Sequence, residues 1–144
     1  MEFLIVTGLS GAGKSRAVDA LEDIGFYCAD NIPPKLIPTF YDLTQQAKGA
    51  LSRVAVVTDV RGGDMFSSLI KTLDQLEGEK KDYRILYLDA NDYVLVNRFK
   101  ETRRKHPLAE NCLGSLEQAV RLERDVLKPV RERADYIIDT SFLS

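Results

Sequence analysis

The fold is decided by the stretch Gly8-Leu9-Ser10-Gly11-Ala12-Gly13-Lys14-Ser15, which fits the phosphate-loop pattern G-x-x-x-x-G-K-[ST]. Its glycines let the backbone bend so that successive amide groups point inward, and a following helix adds the positive end of its dipole. Lys14 is then placed to contact the β- and γ-phosphates of a nucleotide, and the Ser15 hydroxyl to ligate Mg²⁺. A chance match somewhere in the chain has odds on the order of one in 200. The stretch therefore predicts a nucleotide-phosphate site at residues 8–15.

Strands and helices alternate around this loop. Apolar, β-branched runs predict strands at 3–7, 26–29, 53–59, 84–89 and 135–139, and periodic apolar residues predict helices between them. The nearly continuous apolar character of 53–59 is typical of a strand that is buried on both faces of a parallel sheet. Five alternations without a repeat indicate right-handed βαβ units. We therefore expect an α/β protein, a three-layer α/β/α sandwich with a five-stranded, mainly parallel sheet and the phosphate-loop NTPase (nucleotide-kinase-like) fold.

The first two helices each show one apolar face. The first is expected to begin at Lys14 and end at Gly25, and the second to begin near Lys35 with Pro38 in its first turn. The residues predicted to pack on the core are Ala17, Val18, Leu21 and Ile24 in the first helix, and Leu36, Phe40 and Leu43 in the second. The apolar face of each of these two helices is expected to be buried.

The composition indicates one ordinary domain over residues 1–144. Twenty Lys and Arg residues oppose 22 Asp and Glu residues, which gives a net charge of −2 and excludes a polybasic nucleic-acid or membrane-surface module as the default. No apolar run approaches the ~20 residues of a membrane span, and the amino end lacks signal-peptide features. We therefore expect a cytoplasmic protein without membrane contact. Cys28 and Cys112 lie far apart and lack metal-site spacing, so both are expected to be plain thiols.

A second acidic centre is predicted at the end of the strand 53–59. Asp59 is the candidate carboxylate to hold magnesium through water and, together with Lys14, to serve catalysis. The segment Asp59-Val60-Arg61-Gly62 also fits D-x-x-G, by which GTPases place an amide near the γ-phosphate. A strand-end aspartate followed by a turn glycine is the plain alternative. Asp30 and Asp89 also follow strands, where they either contact a ligand or cap a turn.

A basic segment lies between the fourth strand and the last helix. It comprises Arg98, Lys100, Arg103, Arg104, Lys105 and His106. In small-molecule kinases a mobile, arginine-bearing lid occupies this position, which makes Arg98, Arg103 and Arg104 candidate phosphate contacts. The alternative is a solvated helix end whose cations favour its negative terminus. Nothing in the sequence pairs with His106 to make it a catalytic base.

Four segments together resemble the RapZ/YvcJ family of bacterial P-loop nucleotide-binding proteins. They are residues 6–15, residues 22–34 with the string Asp-Asn-Ile-Pro-Pro, residues 59–62, and residues 100–108 with the string Glu-Thr-Arg-Arg-Lys-His-Pro-Leu. No general phosphate-loop mechanism demands those two strings. The resemblance covers essentially the whole chain but only the amino-terminal half of the family pattern, so the family's carboxyl-terminal domain is expected to be absent from this chain.

The resemblance implies ligands and partners. Residues 8–15 would bind ATP, and Asp59, Val60, Arg61 and Gly62 would bind GTP, with weak Mg²⁺-dependent hydrolysis. In enterobacterial members, which are RNase adapters, the other half recognises a small regulatory RNA and an amino-sugar phosphate. That absent half would carry such recognition and any oligomer contacts. The chain contains no N-K-x-D string, the guanine reader of GTPases, so the preference between ATP and GTP stays open.

Three functions remain for comparison with the structure. The leading one is a regulatory nucleoside-triphosphate-binding module that hydrolyses its ligand slowly. The alternative is a small-metabolite or nucleotide kinase that uses residues 98–105 as a lid and Asp30 as a base. The third is an RNA-binding or scaffold domain with a vestigial phosphate loop, which the net charge of −2 disfavours.

Overall fold

A computed structural model describes residues 2–47, 52–60, 63–102, 106–108 and 115–142 and places five strands in one sheet. The strands are β1 (Glu2–Gly8), β2 (Tyr27–Ala29), β3 (Arg53–Val57), β4 (Arg84–Asp89) and β5 (Tyr136–Asp139). Their order is β2-β3-β1-β4-β5, and every neighbouring pair runs parallel. The predicted α/β fold is confirmed, and within the described residues the sheet is entirely parallel.

Helices connect the strands, because parallel neighbours need crossover connections. They are α1 (Lys14–Asp23), α2 (Ile37–Gln46), α3 (Gly63–Gly78), α4 (Asp92–Thr102) and α5 (Leu116–Glu132), with a short 3-10 helix (Pro34–Leu36) before α2. Residues 54–57 of β3 and 85–89 of β4 are all buried, although successive side chains point to opposite faces. Both faces of the sheet are therefore covered, which gives three layers. Among the described helices, none has the length and apolar character to cross a membrane.

The first strand lies at the centre of the sheet. It pairs with β3 on one side and with β4 on the other, and its residues 3–8 are all buried. The carboxyl ends of parallel strands meet at one edge of the layer, where ligands bind in open α/β folds. The loop that follows Gly8 consequently lies in the middle of that edge.

The two outer strands are far more exposed than the central three. In β5, Tyr136, Ile137 and Ile138 are 53%, 44% and 46% exposed, and Tyr27 of β2 is 54% exposed. In the part of the chain that the structure describes, neither strand has a partner on its outer side. The sheet thus has two free edges, and the edge at β5 is apolar.

Two predicted boundaries shift in the structure. The strand predicted at 53–59 ends at Val57, and Asp59 lies instead beside the loop, where its carboxylate pairs with Lys14. Helix α1 ends at Asp23, so Ile24 falls in the cap and is 60% exposed rather than buried.

The predicted apolar face of α2 is correct only for Phe40, which is half-buried against the core. Leu36 and Leu43 are 52% and 57% exposed. The buried residues are Ile37, Tyr41 and Thr44. Tyr41 contacts Phe3 of the central strand edge-on, with 4.9 Å between ring centroids, which turns this face toward the core. Pro38 does lie in the first turn of α2, as expected.

Candidate functional site

The loop at residues 9–13 joins the central strand to α1. Gly13 is the N-cap of α1 and has a left-handed backbone with φ 104°, a conformation that glycine adopts without strain. No side chain caps the helix, and its first turn contains no acidic residue. The first amide groups of α1 and its positive dipole end are thus available to an anion.

Gly8 is required by a close approach to the neighbouring strand. A Cβ atom at this position would lie 2.3 Å from the carbonyl oxygen of Leu88, which is shorter than any non-bonded contact. The next residue, Leu9, donates its N–H to that same oxygen at 3.1 Å. The loop therefore begins with its backbone fixed against β4.

Lys14 lies at the centre of the loop. Its Nζ donates to the carbonyl oxygens of Gly8 at 3.1 Å and Leu9 at 3.2 Å, and lies 3.3 Å from Oδ1 of Asp59. The side chains of Lys14 and Asp59 are only 11% and 26% exposed. The structure thus brings together the two residues that the sequence nominated for catalysis, although 45 positions of the chain separate them.

A magnesium ion would find suitable ligands here. Mg²⁺ takes oxygen ligands, and in nucleotide sites one or two protein groups hold it together with phosphates and water. The Ser15 hydroxyl lies exposed in the first turn of α1, and the Asp59 carboxylate lies beside Lys14. Ser15 and Asp59 therefore fit a nucleotide-bound magnesium ion in chemistry and in number.

The other segment nominated for GTP is only partly described. Val60 is 6% exposed and belongs to the core, so its side chain is not accessible to a ligand. Arg61 and Gly62 lie outside the described residues.

Thr140 and Arg98 donate hydrogen bonds to the backbone of the loop. The Thr140 hydroxyl donates to the carbonyl oxygen of Ala12 at 2.6 Å. The Arg98 guanidinium donates to the carbonyl oxygens of Gly11 and Thr140 and to the Thr140 hydroxyl. Of the three candidate lid arginines, Arg98 thus contacts the loop itself, whereas Arg103 and Arg104 lie outside the described residues. A single threonine after a strand forms no recognisable pattern, so the sequence could not single out Thr140.

A buried carboxylate on α5 also contacts the loop. Glu123 is 1% exposed and accepts the Ser10 N–H at 2.8 Å and the Ser10 hydroxyl at 2.7 Å. Its Oε1 lies 3.3 Å from Nε2 of His106, which is also buried. Glu123 shares the apolar face of α5 with Ala119, Val120, Leu127 and Val130. An acidic residue at a core position was the signal that sequence analysis could have used.

The other strand-end aspartates have local roles in the structure. The Asp89 carboxylate forms ion pairs with the guanidinium groups of Arg124 at 2.9 Å and Arg131 at 3.1 Å. These ion pairs connect β4 to α5. Burial alone would lower the pKa of Arg124, but hydrogen bonds to Asp92 and Asp89 raise it overall. Asp30 is exposed and accepts the N–H of the next residue at 2.8 Å, as in a turn.

Cys28 is a poor nucleophile. Burial raises the pKa of its thiol, and the carboxylates of Glu22 and Asp30 raise it further. The thiol is therefore protonated at neutral pH, which suits the plain role expected for it. Cys112 lies outside the described residues.

Comparison with known proteins adds family and fold. The model of the family described as RapZ-like N-terminal domain matches residues 1–144. A nucleotide-binding protein of Clostridium botulinum is 50% identical over 144 residues, which are 100% of this chain and 48% of that protein. One of Caldicellulosiruptor bescii is 46% identical over 143 residues, 99% of this chain and 49% of that protein. The chain therefore spans about half the length of the curated relatives it matches.

Solved structures share the fold at low sequence identity. A shikimate kinase from Bacteroides thetaiotaomicron superimposes with a TM-score of 0.54 at 15% identity, over 96% of this chain and 85% of that one. A tunicamycin resistance protein from Deinococcus radiodurans gives 0.59 at 19% identity, over 99% and 88%. These similarities support the three-layer α/β/α architecture.

Proposed function

Because the chain belongs to the RapZ-like N-terminal domain family, we propose that it is a regulatory module that binds a nucleoside triphosphate with Mg²⁺ and hydrolyses it slowly. One observation carries this most directly: the loop at residues 8–15 lies at the centre of the carboxyl edge of the sheet, with Lys14 and Asp59 3.3 Å apart. We include both ATP and GTP as ligands. The relatives bear the name nucleotide-binding protein, which is consistent with this function.

The residues of the loop divide the work of binding. The open first turn of α1 would hold phosphate oxygens through backbone N–H groups, and Lys14 would exchange its carbonyl contacts for the β- and γ-phosphates. Ser15 and Asp59 would hold the magnesium ion, which neutralises phosphate charge when bound. Thr140 and Arg98 would keep the loop in its binding conformation.

Slow hydrolysis follows from the state of the two carboxylates at the loop. A general base needs a lone pair that reaches the attacking water. Asp59 is paired with Lys14, and both oxygens of Glu123 accept hydrogen bonds from Ser10. Because both carboxylates already have partners, neither is placed to activate the attacking water. The site would therefore bind and position the nucleotide but hydrolyse it slowly.

We assign recognition of RNA, of a sugar phosphate and of further subunits to the part of the relatives that this chain does not match. The 144 residues would supply the nucleotide-dependent state, and the other half would act on it. We place this function in the cytoplasm.

A kinase activity is the second candidate. A cavity of about 480 Å³ lies between the 3-10 helix and α3. Helix α3 directly follows residues 59–62 in the chain. Its walls include Lys35, Lys71 and the hydroxyls of Ser67 and Ser68, a lining that suits an anionic or hydroxylated acceptor. The shikimate kinase that shares the fold phosphorylates a small metabolite by name, which makes this alternative worth testing.

Substitution of Lys14 tests the proposal directly. Lys14→Ala should weaken binding of MgATP and MgGTP by about ten- to a hundredfold, the value of a hydrogen bond to a charged group, in a calorimetric titration. Single-turnover hydrolysis should fall with it. Lys128→Ala removes an exposed lysine of α5 and should behave as wild type.

Two outcomes would decide against this function. Equal nucleotide affinity in Lys14→Ala and wild type would remove the loop from binding. A metabolite from a panel that speeds nucleotide consumption and emerges phosphorylated would establish the kinase instead.

A further inference from the structure

The carboxylate of Glu123 occupies a buried position that an apolar side chain would fill at a lower cost in free energy. It is 1% exposed on the apolar face of α5, and a buried charge is costly unless its oxygens are hydrogen-bonded. Among the described residues its hydrogen-bond partners are Ser10 and His106, and neither a lysine nor an arginine pairs with it. The arrangement therefore joins segments rather than forming a simple ion pair.

The hydrogen bonds of His106 indicate which ring nitrogen carries the proton in the neutral form. Nδ1 accepts the N–H of Leu108 at 3.0 Å, so the ring proton of the neutral form lies on Nε2. From there it points to Oε1 of Glu123. The same oxygen accepts the Ser10 N–H, and the second oxygen accepts the Ser10 hydroxyl. One carboxylate thus holds the phosphate loop and the turn at residues 106–108, called here the His106 turn.

A second contact places the His106 turn against the loop. The His106 ring lies 5.0 Å from the ring of Phe99, centroid to centroid. The Phe99 ring in turn lies so near Gly11 that a Cβ atom there would be 3.1 Å from its edge. The turn therefore contacts the loop at Ser10 through Glu123 and at Gly11 through Phe99.

We propose that Glu123 is a positioning residue that couples the conformation of the phosphate loop to that of the His106 turn. This rests on nucleotide binding at the loop, as proposed above. Ordering of the loop by phosphate then orders the turn, and by linkage a fixed turn raises nucleotide affinity. Arg103, Arg104 and Lys105 directly precede His106 in the chain, so the turn also fixes where this basic segment ends.

Two substitutions of His106 separate its two hydrogen bonds. In His106→Asn the side-chain oxygen can still accept the Leu108 N–H, but no donor reaches Glu123. In His106→Gln the amide nitrogen can reach Glu123, but the acceptor for Leu108 is lost. We expect His106→Asn to weaken MgATP binding about three- to tenfold, the value of one hydrogen bond, and His106→Gln to stay close to wild type.

Glu123 itself provides a matched pair. A glutamine can accept the Ser10 and His106 N–H groups on its oxygen and donate to the Ser10 hydroxyl, so Glu123→Gln should retain most of the affinity. Glu123→Ala loses all three bonds and should bind at least as weakly as His106→Asn. Glu132→Ala, at an exposed position of α5, is the control, and thermal unfolding shows which variants are folded.

Hydrogen exchange gives a readout that a merely structural role would not move. In wild type, MgATP should slow exchange of the amides of residues 106 and 108, because Pro107 has no amide N–H. This ligand-dependent slowing should disappear at both residues in His106→Asn and should persist at residue 106 in His106→Gln, which removes only the acceptor of the Leu108 amide. If folded His106→Asn keeps both the affinity and the ligand-dependent slowing, the coupling is overturned. Loss of binding in Lys14→Ala together with that result would leave the nucleotide function standing and remove only Glu123 from it.

Discussion

A side chain at position 8 would collide with the neighbouring strand. The loop begins where the backbone of β1 passes so close to Leu88 that a Cβ atom would lie 2.3 Å from its carbonyl oxygen. The backbone of Gly8 also has φ 143°, outside the range that side chains favour. The conformation of the loop thus depends on a residue that has no side chain.

Gly8→Ala should therefore lower the free energy of unfolding by about 2–4 kcal/mol, from overpacking and from backbone strain. Urea unfolding followed by circular dichroism measures it. Gly78→Ala is the matched control, because nothing lies within 4 Å of a Cβ atom there and α3 should tolerate or favour alanine. Similar losses in the two variants would show that the contact with Leu88 is not the cause.

At the level of single elements, α2 and α5 show what a sequence pattern can and cannot resolve. In α2 two faces fit helical spacing, and because Tyr41 packs on Phe3, Leu36 and Leu43 are exposed while Phe40 is half-buried. Helical periodicity does not contain that tertiary contact. In α5 the apolar face was recognisable, yet the partner of Glu123 lies 113 positions away at Ser10.

The loop and its fold, by contrast, could be predicted almost fully. Phosphate binding needs glycines, a lysine and a hydroxyl at fixed spacing, so residues 8–15 reveal themselves locally, and the resemblance to the RapZ/YvcJ family is confirmed by the match over residues 1–144. Asp59 followed from its place after a buried strand. Thr140 did not, because its contact with Ala12 spans 128 positions.

The segment after β5 should matter for the loop through one hydroxyl. Thr140→Val keeps the shape but removes the hydroxyl that donates to Ala12 and accepts from Arg98, so we expect a loss of about 1–2 kcal/mol in the free energy of unfolding. Nucleotide affinity, measured by calorimetry, should fall severalfold. Thr140→Ser retains the hydroxyl and should remain near wild type. Unchanged affinity in folded Thr140→Val would show that the loop holds its conformation without this support.

At the scale of the whole molecule, the described residues cover both faces of the central sheet but leave its two outer strands exposed. Ile137 and Ile138 point to opposite faces of β5, and both are more than 40% exposed. An apolar strand with an open edge is a template for pairing with another chain. The candidate site after β1 and the exposed apolar edge at β5 are therefore two separate features of the same sheet.

Ile138→Lys should reduce concentration-dependent self-association in sedimentation experiments and leave nucleotide affinity unchanged, since a lysine on an edge strand opposes pairing. Leu43→Lys is the control, because Leu43 is comparably exposed, at 57%, but lies on a helix. Equal self-association in wild type and Ile138→Lys would show that this edge does not pair.

The central position of β1 also has a consequence for the order in which the chain acquires structure. The strand is synthesised before its two partners, residues 53–57 and 84–89, and before Thr140, whose hydroxyl supports its loop. Every one of these contacts is distant in sequence, a topology that slows folding. A nascent chain that already contains the whole phosphate-loop sequence still lacks the loop's conformation. On the proposed function, nucleotide binding would follow the folding of the whole domain, and the ligand would stabilise the domain as a whole rather than β1 and its loop alone.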